Sequence, residues 1–232
     1  MAVATLPYQE KIEYPDSDGK PMAESELHLL QLLALVYVLR NFFRDAQDVY
    51  VGGNMLMYYV EGEPSEVVAP DVFVVKGVGK HLRRTFKLWE EGKAPDCIIE
   101  LTSKSTRYQD LANKRGLYET LGVQEYFLFD PQREYLNPPL RGYRLVNGVY
   151  ELFSGAVLAS DVLGLELRDE NGELRLYDPL RQVYLLTPPE TTERLEETQE
   201  RLEEIEKRAT RAEAENEKLR TELERLRREQ NK

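Results

Sequence analysis

A chain of 232 residues can hold one domain of ordinary size plus an extension. Its formal net charge of −11 argues against a dedicated nucleic-acid binder, although binding needs only a local basic surface. A single cysteine, Cys97, excludes a disulfide framework and zinc-ligand spacing, and its apolar neighbours mark it as a small core residue.

Residues 1–21 are polar and turn-rich and predict an irregular arm. The N-terminus lacks a basic region followed by an apolar one, so no signal peptide is expected. A long helix is predicted from about Glu24 to Phe43; its apolar part, Leu27 to Leu39, is too short to span a bilayer. A soluble, cytoplasmic protein is the expectation. Strands follow at about Val49–Val60 and Val68–Val75, then a basic insertion over about Lys76–Lys93. A third strand is predicted at about Asp96–Thr102. The next helix, Thr106 to Leu121, is opened by Ser105 and Thr106 and closed by Gly122. A strand at Tyr126–Phe129 completes an order of helix, three strands, helix, strand, which is that of an α/β sandwich. From Gly142 to Leu186 the pattern is one of short strands. Asn147-Gly148 and Asn171-Gly172 signal hairpins. This part is expected to extend or cover the sheet. Pro188-Pro189 ends the globular region.

Three charged residues interrupt the apolar pattern. Asp71 lies in Val68-Val-Ala-Pro-Asp71-Val-Phe-Val-Val75, and Glu100 in Asp96-Cys-Ile-Ile-Glu100-Leu-Thr102. Ile98, Glu100 and Thr102 share one face of their strand; Cys97, Ile99 and Leu101 share the other. An ionised group in such a run costs several kcal/mol unless a cation or donors satisfy it. Two carboxylates on adjacent strands would suit a hard divalent cation such as magnesium. On the following helix Arg107, Asp110, Leu111, Lys114, Leu117, Tyr118 and Leu121 form one stripe, so Lys114 sits in the face expected to pack on the sheet. The plainer alternative is that Asp110 and Lys114, four apart, pair with each other. Plainer alternatives also exist for the acids. Asp71 could bond local backbone N–H groups, and Glu100 could pair with an arginine.

At these residues the chain resembles a known family. Pro70-Asp71, then Ile98-Ile-Glu-Leu-Thr-Ser-Lys-Ser-Thr106, then Asp110, Lys114 and Tyr118, then Glu125-Tyr-Phe-Leu-Phe-Asp-Pro131 resemble the Uma-two family, whose members are described as restriction endonucleases. Lys87-Leu-Trp-Glu-Glu-Gly-Lys-Ala-Pro95 and Pro138-Pro-Leu-Arg-Gly-Tyr-Arg144 fit as well, and the likeness runs from about Asp18 to Pro188. It implies a PD-(D/E)XK restriction-endonuclease-like sandwich over residues 22–188 and metal-dependent hydrolysis of DNA. Asp71 and Glu100 would hold Mg2+ or Mn2+, with the carbonyl of Leu101 completing the sphere, and Lys114 would act as the catalytic lysine. One departure stands out. The superfamily places lysine two residues after the glutamate, where this chain has Thr102. Lys104 is the alternative lysine. Glu24 is an accessory candidate because related nucleases sometimes present an acid from the first helix, where Glu24, His28 and Gln31 share a face; Asp110 is another accessory candidate. Arg83, Arg84 and Arg107 are candidate contacts to nucleic acid. The competing function is a non-catalytic binding or scaffold module. With only His28 and His81 present, a serine-hydrolase triad has little support.

Beyond Pro189 the chain is nearly all Glu, Arg, Leu and Ala, and a coiled coil is predicted over 190–232. Leu195, Leu202, Ala209, Asn216 and Leu223 take a positions; Thr198, Ile205, Ala212, Leu219 and Leu226 take d positions. Asn216 at a favours a fixed register and two parallel strands. In such a pair, Arg201–Glu206, Arg208–Glu213, Glu215–Arg220 and Glu222–Arg227 would face each other with opposite sign. A homodimer through a parallel coiled coil is the expectation.

Overall fold

The structure, a computed structural model, describes residues 12–17, 19, 25–103 and 109–230, without the side chains of 109–111 and 230. The chain divides into two units, 1–185 and 186–232. In the first, helix α1 (Glu26–Phe42) precedes strands β1 (Val49–Gly53), β2 (Met57–Tyr58), β3 (Val67–Val68), β4 (Val72–Lys76) and β5 (Phe86–Lys87). A short helix α2 (Leu88–Glu91) leads to β6 (Cys97–Leu101). A π-helical turn (Gln109–Lys114) runs into α3 (Arg115–Leu121). Strands β7 (Glu125–Phe129), β8 (Leu140–Val146), β9 (Val149–Ser154), β10 (Val157–Ser160), β11 (Leu165–Glu170), β12 (Glu173–Asp178) and β13 (Val183–Tyr184) follow.

The largest sheet runs β1-β4-β6-β7-β8-β9. Strands β6 and β7 are parallel and α3 lies between them in the chain, as a parallel pair requires a crossover. Strand alternation builds two cores. Cys97, Ile99 and Leu101 pack with Leu32, Leu35 and Leu39 of α1 and with Leu165, Leu167, Leu174 and Leu176. Ile98, Phe73 and Leu128 pack on the opposite face with Tyr118, Tyr126 and Phe86. Helix α1 and the sheet β10-β11-β12-β13 therefore cover one face, and α3 covers the other. Both faces of β6 are buried, which makes a charged residue there conspicuous.

Several predicted elements are shorter than the apolar runs that suggested them. The run 49–60 is two strands, because Gly52-Gly53-Asn54 turns the chain and Asn54 adopts φ 45°. Gly52 cannot carry a side chain: a Cβ there would lie 2.3 Å from the ring of Phe73. The run 68–75 breaks at Pro70, which has no N–H to donate, so Asp71 precedes β4 rather than lying inside it. The predicted α-helix 106–121 is α-helical only from Arg115, after the π-helical turn; residues 104–108 lie outside the described residues. Both hairpins form where expected, with Asn147, Gly148, Asn171 and Gly172 all at positive φ. Cys97 is buried and free.

The second unit is helix α4 (Pro188–Gln230), with Pro188 at its first turn. Its apolar side chains stand in solvent, Leu195 at 65% exposure among them. Overall the chain is mixed α/β, with sheets and a long C-terminal helix. Among the described residues no helix is long and apolar enough to cross a membrane.

Candidate functional site

Asp71, Glu100 and Lys114 meet at the C-terminal end of β6. Their placement follows from local structure. Ser25 caps α1 by accepting from the His28 N–H at 3.2 Å, which sets His28 in the first turn. On the same face Gln31 is locked to Leu174, donating to its carbonyl at 3.3 Å and accepting from its N–H at 3.1 Å. His28 Nε2 lies 3.1 Å from Asp71 Oδ1. The Leu101 N–H donates to Asp71 Oδ2 at 2.8 Å, and the Asp71 N–H points to Glu100 Oε2 at 3.4 Å. Lys114 Nζ donates to Glu100 Oε2 at 2.9 Å, and the Tyr118 hydroxyl donates to Oε1 at 2.8 Å. Lys114 and Tyr118 are four residues apart, so the helix delivers them to the two oxygens of one carboxylate.

The site is dry. The Glu100 side chain is 1% exposed and that of Lys114 17%. Burial alone would raise the Asp71 carboxyl, but the His28 hydrogen bond and charge, the Lys114 charge and the Leu101 N–H hold it below the ordinary carboxylate range. Among the described residues the two acids meet the Lys114 ammonium and the His28 imidazole. Thr102 lies two residues beyond Glu100, where the Thr102 N–H still bonds Phe129 O at 2.7 Å. Its hydroxyl is the buried side-chain atom without a hydrogen-bond partner among the described residues.

A family model described as "Uma2: Putative restriction endonuclease" matches residues 4–169. The chain belongs to the Uma2 family. Comparison with curated proteins finds no match. Among solved structures, "a putative nuclease belonging to DUF820" from Anabaena variabilis ATCC 29413 is similar over 63% of this chain and 80% of that one, at 16% identity and a TM-score of 0.45.

A divalent cation implied by a restriction-endonuclease family needs hard oxygen ligands. Asp71 and Glu100 of this Uma2 chain supply them, side by side. Asp71 Oδ1 and Oδ2 accept one hydrogen bond each and so retain a second lone pair. Among the described residues no three His, Cys, Asp or Glu side chains form a ready-made cage, so such an ion would keep much of its water. The residues present therefore fit Mg2+ or Mn2+ held by two carboxylates.

Other predicted residues lie elsewhere. Glu24, Lys104 and Arg107 are outside the described residues, as is the side chain of Asp110. The Arg83 side chain is 3% exposed; it grips Glu91 through two nitrogens and stacks 4.2 Å over Tyr50. Arg84 is exposed and paired with Asp16. His28 and Tyr118 were not among the candidate site residues. The available signals were the inward face shared by His28 and Gln31, and the stripe that Tyr118 shares with Lys114. Neither signal names the carboxylate that is touched.

Proposed function

We propose that this chain is a metal-dependent endonuclease that hydrolyses DNA phosphodiester bonds on a PD-(D/E)XK-type sandwich over residues 22–188, with 1–21 as an arm. One observation carries the reading: Asp71, Glu100 and Lys114, from three segments of the chain, converge in one buried cluster. Asp71 and Glu100 would hold Mg2+ or Mn2+. When bound, such an ion polarises a phosphoryl oxygen and acidifies a water. Lys114 orients that water and offsets the charge that grows on phosphorus in the transition state. The low polarity around Glu100 strengthens both effects. DNA is the substrate that the family description supports. Exposed Arg84, and Arg107 from the sequence alone, are its proposed backbone contacts. Purified protein with Mg2+ is expected to nick plasmid DNA, and chelation to stop it. Asp71→Asn and Glu100→Gln should abolish nicking while leaving the fold intact. Equal nicking by both variants would defeat the assignment.

A non-catalytic scaffold is the second reading. It is favoured by Thr102 at the superfamily's lysine position and by contacts within the chain to all four carboxylate oxygens. The same assay decides between the two.

The helix after Pro189 is proposed as a parallel homodimeric coiled coil over 190–232. The exposure of Leu202, Ile205, Leu219, Leu223 and Leu226 supports a seam that needs a second copy. Asn216 would set its register, and two bodies brought together would suit cutting both strands. Light scattering should give a dimer for the full chain and a lower mass after deletion beyond Pro189. A full-length monomer at micromolar concentration would defeat this part.

A further inference from the structure

We propose that His28 and Tyr118 are positioning residues, each fixing one carboxylate of the Asp71–Glu100 pair in the orientation that accepts a divalent cation. The inference rests on the functional reading above and deepens it. Its basis is the kind of donor each acid receives and where that donor comes from.

His28 comes from α1, on one face of the large sheet, and Tyr118 from α3, on the other. Each touches a different acid: His28 Nε2 lies 3.1 Å from Asp71 Oδ1, and the Tyr118 hydroxyl 2.8 Å from Glu100 Oε1. Both are buried, Tyr118 completely. A phenol hydroxyl and an imidazole N–H each fix a carboxylate through one directed hydrogen bond. The phenol does so without cancelling the charge of the acid it holds. A cation-binding pair needs both features, because a carboxylate that rotates costs ordering on binding, and a carboxylate already neutralised binds weakly. The remaining contacts agree. The Leu101 N–H holds the other Asp71 oxygen from the backbone, and one lysine serves the pair among the described residues. Rigid support also exists behind each donor. The Ser25 cap and the Gln31–Leu174 clasp fix the first turns of α1, and Tyr118 packs edge-on against Tyr126 at 5.1 Å between ring centres.

The test is calorimetric titration of the full-length protein with Mn2+ alone, with a thermal melt of each variant. Asp71→Asn should abolish binding. His28→Ala and Tyr118→Phe should each weaken it about 10- to 100-fold, the usual effect of losing a group that orients a ligand. His28→Gln, which returns an amide N–H to the same reach, should recover most of the loss. That rescue is not expected of a residue that only fills space. If His28→Ala does not fold, Tyr118→Phe, which removes one oxygen, carries the test. Unchanged Mn2+ affinity in the folded positioning variants, with Asp71→Asn defective, would overturn this inference and leave the functional reading standing. A wild-type protein that takes no Mn2+, or an Asp71→Asn variant that binds as well as wild type, would overturn both.

Discussion

Strand β6 has two buried acids near each end, and the chain treats the ends differently. At its start, Asp96 accepts from Lys93 Nζ at 2.8 Å, Gln124 at 3.0 Å and the Lys76 N–H at 2.7 Å. Its neighbour Glu125, on β7, accepts from Arg144 at 3.0 Å, the Asp161 and Val162 N–H groups and the Ser160 hydroxyl. Each of these buried acids has a cation there, although Arg144 also meets the exposed Asp161. At the other end Asp71 and Glu100 share Lys114 among the described residues, and the rest of their donors are His28, Tyr118 and backbone. Burial of an acid therefore does not mark a site, since both ends show it. The kind of donor differs. The first end is a structural clamp that closes β7 onto the turn before β11; the second is held by one lysine, a histidine, a tyrosine hydroxyl and backbone N–H groups among the described residues.

Mutations at the two ends should separate stability from chemistry. Glu125→Ala removes the buried partner of Arg144, which keeps Asp161 and the Ala159 carbonyl, and leaves three further donors without their acceptor, so it should cost about 3–5 kcal/mol in urea denaturation. Mn2+ affinity of the folded fraction should not move. Loss of metal binding without loss of stability would erase the contrast. Lys114→Met should slow DNA cleavage about 100- to 1000-fold, as for loss of one group that offsets transition-state charge. Mn2+ affinity should be kept or raised, because a competing cation has gone. An unaffected rate would remove Lys114 from the proposed chemistry. Asp71→Asn should change stability by no more than about 1 kcal/mol, since relief of like charge offsets a poorer hydrogen bond to the Leu101 N–H. A drop as large as that of Glu125→Ala would make the second end a clamp like the first. The smallest effect belongs to Thr102→Val. Among the described residues the Thr102 hydroxyl is buried without a partner, so an apolar group of the same shape should be neutral or stabilising by up to about 1 kcal/mol. A clear loss of stability would mean that the hydroxyl is matched.

The proposed site was legible in the sequence to the extent that it depends on periodicity. Parity along Cys97-Ile-Ile-Glu-Leu101 set Glu100 on the face opposite Ile99, and the helical stripe put Lys114 on the side that packs inward; the structure has both. Turn chemistry was equally plain at Asn147-Gly148 and Asn171-Gly172. Contacts that join distant segments were not legible. His28 and Asp71 are 43 residues apart, and nothing local to either tells which acid a buried histidine will meet. Arg83 reads as surface charge until Glu91 and Tyr50 are seen to enclose it. Breaks at Gly52-Gly53-Asn54 and Pro70 were masked by apolar runs that continue through them. The π-helical turn before Arg115 leaves no trace in a 100° stripe, because the residues around it still alternate plausibly. Glu125 escaped notice as a buried acid because its partners lie 19 and more residues further on.

The central claim is that the Asp71–Glu100 end of β6 takes a cation and the Asp96–Glu125 end does not. Anomalous diffraction from crystals grown with Mn2+ tests it most directly. The expected result is one strong peak between the Asp71 and Glu100 carboxylates, lost in Asp71→Asn crystals, and none beside Asp96 or Glu125. Mn2+ seated at the Asp96–Glu125 end, or absent from Asp71 and Glu100 at saturating concentration, would contradict the account.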